Sequence, residues 1–180
     1  MNEGLIPRRY AKALLKLATE RGCAERVYTL MGNLADECSR VPALQKAAAN
    51  PFLDFKEKVQ LLDTAAGASS ADSIFTDFLK LLEMNKRMSA VRECAIAYVE
   101  LYRKANRIYR VEVTSAAKLD PEQEQRLKAM IEKHLGGGSM EYSTRIDPDL
   151  IGGFAVKIDN ERLDASVATE LEQMRHRLLG

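Results

Sequence analysis

The residues of this 180-residue chain whose types could do chemistry are not spaced to suit it. Gly136-Gly137-Gly138-Ser139 is a glycine run of the kind that cradles phosphate. A phosphate loop follows a strand and leads into Gly-Lys-Ser/Thr; this run follows a helical pattern and lacks that continuation, so a flexible loop is expected. His134 and His176 have no ligand-like spacing, and each lies near a helix C-terminus, where the macrodipole favours it. Asp147, Asp149, Asp159 and Asp164 could face a cation, but they lack the regular spacing of an EF-hand loop, and turns and caps account for them. Cys23, Cys38 and Cys94 are odd in number and form no C-x-x-C pair, which argues against a disulfide framework or a zinc site. They read as reduced cytosolic thiols, with Cys38 and Cys94 as small buried hydrophobes. No serine, cysteine or histidine constellation suggests nucleophilic catalysis. The expectation is a chain that is not an enzyme, with no catalytic residue, no cofactor, no metal and no small-molecule substrate.

Charge narrows the partners. The formal net charge is +1 and tryptophan is absent, so neither electrostatics nor stacking groups favour nucleic acid. Arg8, Arg9, Lys12 and Lys16 could touch anionic lipid, but acidic residues follow closely, and a solvated helix face is the simpler reading. The N-terminus has no apolar signal region, and no run approaches the roughly 18 apolar residues of a membrane span. Any work at a membrane would be through something else that holds the chain there.

Residues up to about 106 read as helices. The periodicity predicts helices over 5–21, 24–41, 43–49, one opening at the capping box Asp54-x-x-Glu57, one over 71–86, and one from a Ser89 cap to 105. In the fourth, Phe55, Val59, Leu62 and Ala66 share a face. Six short helices with brief connections imply a bundle. Near residue 107 the period changes. Tyr109, Val111 and Val113 alternate with polar residues as a strand. Asp120-Pro121-x-Gln123 opens a helix burying Leu127, Met130, Ile131 and Leu135. Met140, Tyr142 and Thr144 mark a second strand. The expected fold is mainly α: a six-helix bundle over 1–106, then a small α+β domain over 107–180 in the order β-α-β-β-α.

The third strand belongs to the most shaped segment of the chain, Asp147 to Ser166. Asp147-Pro148 sets a turn, and Gly152-Gly153 supplies backbone freedom at a strand entrance. Phe154, Val156 and Ile158 alternate with Ala155 and Lys157. Asp159-Asn160 suits a tight turn, and Asp164 or Ser166 could cap a last helix whose stripe is Val167, Leu171, Met174 and Leu178.

Arc width separates the helices. In the second, Val27, Leu30, Met31, Leu34, Cys38 and Val41 span about 100°, one ordinary stripe. The first helix has two stripes, Ile6, Tyr10, Ala13, Leu14 and Leu17, and Ala11, Leu15 and Ala18, together about 200°. The fifth sweeps about 160° through Ile74, Phe75, Phe78, Leu79, Leu81 and Leu82. Either these helices are central, or each offers a stripe to a partner helix, with Ala11, Ala13 and Ala18 allowing close approach.

These residues resemble a known family along nearly the whole chain. Arg9-Tyr10-Ala11-Lys12-Ala13-Leu14, Asn50-Pro51-Phe52 with Lys58, Phe78-Leu79-Lys80-Leu81-Leu82 with Asn85-Lys86-Arg87-Met88, Val111 to Ala116, and Asp147-Pro148 through Gly152-Gly153 to Asp164-Ala165-Ser166 stand in the order of the F-type ATP synthase delta subunits, bacterial relatives of the oligomycin-sensitivity-conferring protein. Asp77, Ala165 and Asn160-Glu161 depart from that pattern without removing a functional group. The resemblance implies a peripheral-stalk (stator) subunit with no bond chemistry of its own. Its bundle would grip N-terminal helices of alpha subunits in a groove between the first and fifth helices, lined by Tyr10, Ala11, Ala13, Leu14 and Leu17 with Phe75, Phe78, Leu79 and Leu82. Its C-terminal domain would join the b subunits, with Asp147, Pro148, Gly152, Gly153, Asp164 and Ser166 as structural signature. Membrane association would be indirect, at the cytoplasmic face of the bacterial plasma membrane. The rival reading is a generic helical adaptor outside ATP synthase.

Overall fold

The computed structural model describes residues 4–69, 72–148, 150 and 153–159, and the backbone of 161–166. It divides into two compact units between Arg103 and Lys104. The first holds α1 (Leu5–Glu20), α2 (Ala24–Arg40), α3 (Pro42–Ala49), α4 (Phe55–Ala66), α5 (Ser73–Met84), a 3-10 turn (Met88–Ala90) and most of α6 (Val91–Asn106). The second holds β1 (Ile108–Ser115), α7 (Pro121–Leu135), β2 (Ser139–Ile146), β3 (Gly153–Ile158) and β4 (Glu161–Ser166).

In the bundle, α2 is packed by α1, α3, α4 and α5. Its Val27, Leu30, Met31, Leu34 and Cys38 are buried as the stripe predicts, but Val41 is 47% exposed, because the helix ends at Arg40 and Val41 takes an extended conformation. Helix ends follow local chemistry. Gly22 and Gly67 adopt φ of +68° and +69°, the left-handed geometry that closes α1 and α4. Two expected caps are not formed. Asp54 stands at the N-cap of α4 without a side-chain capping bond, and Ser89 lies inside the 3-10 turn ahead of α6.

The buried face of α4 is also rotated from expectation. Lys58, Leu62 and Ala66 point inward, while Phe55 and Val59 are half-buried. A lysine belongs in a core only with a partner. Glu83 of α5 supplies one, its Oε1 lying 3.0 Å from Lys58 Nζ. The α4–α5 connection is clasped to α2 as well. Arg26 donates through Nε and Nη2 to the two Asp72 carboxylate oxygens at 3.0 and 2.8 Å, and through Nη2 to the Gly67 carbonyl at 3.0 Å.

The second unit is a four-stranded sheet in the order β2-β1-β3-β4. β1 and β2 are parallel, with Val111 opposite Tyr142, and a parallel pair requires a crossover, which α7 provides. The Asp120/Gln123 capping box opens α7 as predicted, the Asp120 N–H donating to Gln123 Oε1 at 3.3 Å. Leu127 and Ile131 pack with Val111, Val113, Val156 and Ile158. Met130 is 64% exposed, outside the narrower stripe that α7 buries.

After β3 the chain differs from expectation. Asp159 takes φ of +48° and folds the chain back, as the expected turn there requires, but Glu161–Ser166 forms β4, antiparallel to β3, where Asp164 or Ser166 was expected to cap a helix. The stripe Val167, Leu171, Met174 and Leu178 lies outside the described residues.

Two outcomes test this packing. Leu34, fully buried on α2, should cost about 2–5 kcal/mol when cut to alanine; a urea midpoint unchanged in Leu34→Ala would contradict the central place of α2. The second concerns acid. The Arg26 hydrogen bonds, with help from Ser69 and against the pull of burial, hold the Asp72 carboxyl well below the usual carboxylate range. Its folded value lies below its unfolded one, so its stabilisation is complete above about pH 4 and is lost as the pH falls below that. Asp72→Asn should melt lower at neutral pH and lose less melting temperature between about pH 5 and pH 2 than the parent chain. Parallel acid profiles for the two proteins would show that the clasp contributes nothing.

Candidate functional site

Burial raises the Cys38 thiol and pushes the Cys94 thiol up to about 12, so both stay protonated and poorly nucleophilic. His134 is exposed at the end of α7. Among the described residues, no group of three or more His, Cys, Asp or Glu side chains could hold a metal ion, and no helix is long and apolar enough to cross a membrane.

The glycine run is a packed connection. Gly136 and Gly137 take φ of +62° and +98°, and a Cβ on Gly138 would come within 2.4 Å of the Tyr109 ring. The flexible loop expected there is a tight turn, because β2 must start directly beside β1. Asp147 and Pro148 form the turn after β2: the Asp147 N–H donates to the Ser115 carbonyl at 2.9 Å, and the Asp147 carbonyl accepts from Leu150 N–H at 3.2 Å. Gly153 begins β3 and Asp164 and Ser166 lie in β4. Gly152 lies outside the described residues.

What remains is apolar surface. On α1, Pro7, Ala11, Leu14 and Ala18 are buried, at i, i+4, i+7 and i+11. A neighbouring line, Ile6, Tyr10, Ala13 and Leu17, has the same spacing and is left half-buried or exposed, Leu17 at 39%. The wide arc of α1 is therefore two stripes with different fates. Leu5, 69% exposed, extends the apolar surface at the start of the helix.

The arc of α5 is spent differently. Phe75, Phe78, Leu79 and Leu82 are 0–4% exposed and form core, so they support a surface from beneath. The outward apolar side chains of α5 are Leu81 and Met84, at 44% and 82%. Of the residues expected to line a groove, Tyr10, Ala13 and Leu17 reach the surface, and Ala11, Leu14 and the four α5 residues face inward. Leu81 edges the predicted arc, but its exposure depends on how α5 is rotated, which periodicity does not state.

Concavities lie elsewhere on the bundle. One of about 500 Å³ between α4 and α5 is lined by Phe55, Val59, Asp63, Thr76 and Lys80 among others. Burial, and then the Asp72 charge, raise the Asp63 carboxyl there. Another of about 530 Å³ is lined by Val41, Leu44, Leu53 and Leu61 with Glu37 and Glu57. In the second unit, the sheet face away from α7 carries Glu112, Arg145, Asp147 and Lys157 around a shallow hollow of about 290 Å³.

A family model described as "ATP synthase delta (OSCP) subunit" matches residues 6–178. The chain is 40% identical over 179 residues to the ATP synthase subunit delta of Parabacteroides distasonis, covering 99% of this chain and 98% of that one. It is 35% identical to the subunit delta of Phocaeicola vulgatus, covering 98% and 95%. Its fold is similar to a chain of the Toxoplasma gondii mitochondrial ATP synthase hexamer, with a TM-score of 0.71, 21% identity and 97% of each chain covered. With its helical bundle, its small α+β unit and this match along nearly its whole length, the chain belongs to the ATP synthase delta (OSCP) subunit family.

Proposed function

We propose a division of labour for this chain within the F-type ATP synthase, of whose peripheral stalk it is a subunit. The bundle of residues 1–106 holds N-terminal helices of the alpha subunits, and the unit of residues 107–180 joins the b subunits. The chain makes and breaks no bond. It transmits a static load, so that the catalytic head stays still while proton flow turns the rotor. Its place is peripheral, at the cytoplasmic face of the bacterial plasma membrane, held there through the complex.

The observation that carries the alpha-subunit half is the second stripe of α1. Ile6, Tyr10, Ala13 and Leu17 present a helical repeat to the outside, with a small residue near its centre that lets another helix approach closely. Leu81 and Met84 add apolar side chains from α5. Arg8, Arg9, Lys12 and Lys16 are exposed on α1 as well and suit an amphipathic partner carrying acidic residues at its edges. Full burial of a side chain such as leucine is worth roughly 1.5–3 kcal/mol before ordering costs, so several together are needed for nanomolar holding.

The test is a titration of the full chain with an alpha-subunit N-terminal peptide. Leu17→Asp should bind about tenfold more weakly or worse, a loss of about 1.4 kcal/mol, with an unchanged melting temperature. Leu14→Asp, by contrast, should unfold the bundle, because Leu14 is only 4% exposed. Undiminished affinity in folded Leu17→Asp would remove the α1 stripe from the interface. A pull-down with the full chain should recover alpha and b subunits together; recovery of neither would favour an adaptor role outside the synthase.

A further inference from the structure

We propose that the ion pair of buried Lys58 with Glu83, whose side chain is 34% exposed, is a positioning device that sets the rotation of α5 about its own axis, and so decides which of its apolar side chains faces outward. The Lys58 side chain is only 4% exposed, and among the described residues no other lysine, arginine, aspartate or glutamate is buried. Its Nζ lies 3.0 Å from Glu83 Oε1, joining the first turn of α4 to the last turn of α5.

Stability alone is a poor reason for such a pair. Desolvating the Lys58 ammonium, and Glu83 in part, offsets much of their attraction, and hydrophobic replacements of similar volume are often as stable. Removing one partner is a different matter, because it leaves a buried charge unmatched. The pair therefore penalises arrangements that separate Lys58 from Glu83 more than it rewards the one that joins them.

Rotation of α5 is such an arrangement. Its apolar arc runs from Leu81 through Ile74, Phe78, Leu82 and Phe75 to Leu79, wider than the face that the core needs. Turning the helix to bury Leu81 would expose Leu79 and leave the buried apolar area nearly the same. Hydrophobic packing, being non-directional, separates those two states weakly. Glu83 stands about 160° around the helix from Leu81 at 100° per residue. Any rotation that carries Leu81 inward swings Glu83 away from α4 and strands the Lys58 ammonium. Continuation of the chain reinforces the choice. Lys86 at φ of +55° turns it sharply, with its N–H donating to the Glu83 carbonyl at 2.8 Å and the Arg87 N–H to the Leu82 carbonyl at 2.7 Å. The rotation itself is argued from this chain alone; its use in docking rests on the function proposed above.

The experiment uses the full chain with labelled leucine methyl groups and a soluble paramagnetic probe. In the parent, Leu81 methyls should be strongly relaxed and Leu79 methyls protected. In Lys58→Met/Glu83→Leu the chain should remain folded while that contrast shrinks, and the charge-exchanged Lys58→Glu/Glu83→Lys should restore it. An undiminished contrast in the folded hydrophobic pair would overturn the proposal. If that variant does not fold, Glu83→Gln is read by the same contrast and with the same consequence. Titration with the alpha-subunit peptide separates the two readings. A lost contrast with unchanged affinity would uphold the positioning role and remove α5 from the docking surface, whereas a lost contrast with weakened affinity supports both.

Discussion

Burial of one apolar stripe on α2 is the constraint on which the bundle depends. Val27, Leu30, Met31, Leu34 and Cys38 are at most 3% exposed. The helices around them are short, down to the 8 residues of α3, and helices of that length are marginal in water on their own. They persist because each covers part of α2. The same demand explains the outside of the molecule. Ala11, Leu14 and Ala18 of α1 face the core, and of what α1 has left, Ile6 and Tyr10 are half-buried while Ala13 and Leu17 are turned outward by geometry.

Apolar burial is non-directional, so the polar contacts around α2 carry the specificity. Asn33 Nδ2 donates to the Ala66 carbonyl at 3.0 Å, holding the end of α4. The Tyr98 hydroxyl donates to the Ala24 carbonyl at 3.1 Å, fixing α6 against the start of α2. Tyr28 and Tyr102 stack at 4.5 Å, and Arg103 Nε donates to the Tyr28 hydroxyl at 2.9 Å. With the Arg26–Asp72 clasp, these contacts mark the perimeter of the helix that everything else covers. A subunit that bears load needs such a perimeter more than it needs a pocket, because a stator works by not yielding.

Legibility varied with the range of the interaction that decides each feature. The capping box of α7 was readable because Asp120, Pro121 and Gln123 are neighbours and satisfy one another. Asp54-x-x-Glu57 has a similar pattern, yet Asp54 makes no capping bond. The strand periods of 109–113 and 154–158 were readable because alternation records which face is buried. β4 was not, since Glu161–Ser166 offers only Leu163 and Ala165 as alternating apolar residues, and its strand geometry comes from pairing with β3 after Asp159 reverses the chain. The candidate site divides the same way. The arc of α1 announced a surplus of apolar residues, but which stripe was the surplus depended on the position of α2.

By itself the amino-acid sequence determined the helical bundle, the later α+β unit, the absence of a recognisable catalytic pattern, and the ordered motifs of the delta family. Those features rest on local periodicity and on residue types, which are properties of the chain as written. Tertiary structure alone decided that Leu17 and Leu81 face outward while Leu14 and Leu79 face inward, that Lys58 lies in the core, and that β2 pairs in parallel with β1. Each of these depends on a partner distant in sequence. Periodicity states how many residues a helix could bury, and only the neighbouring elements determine which of them are buried.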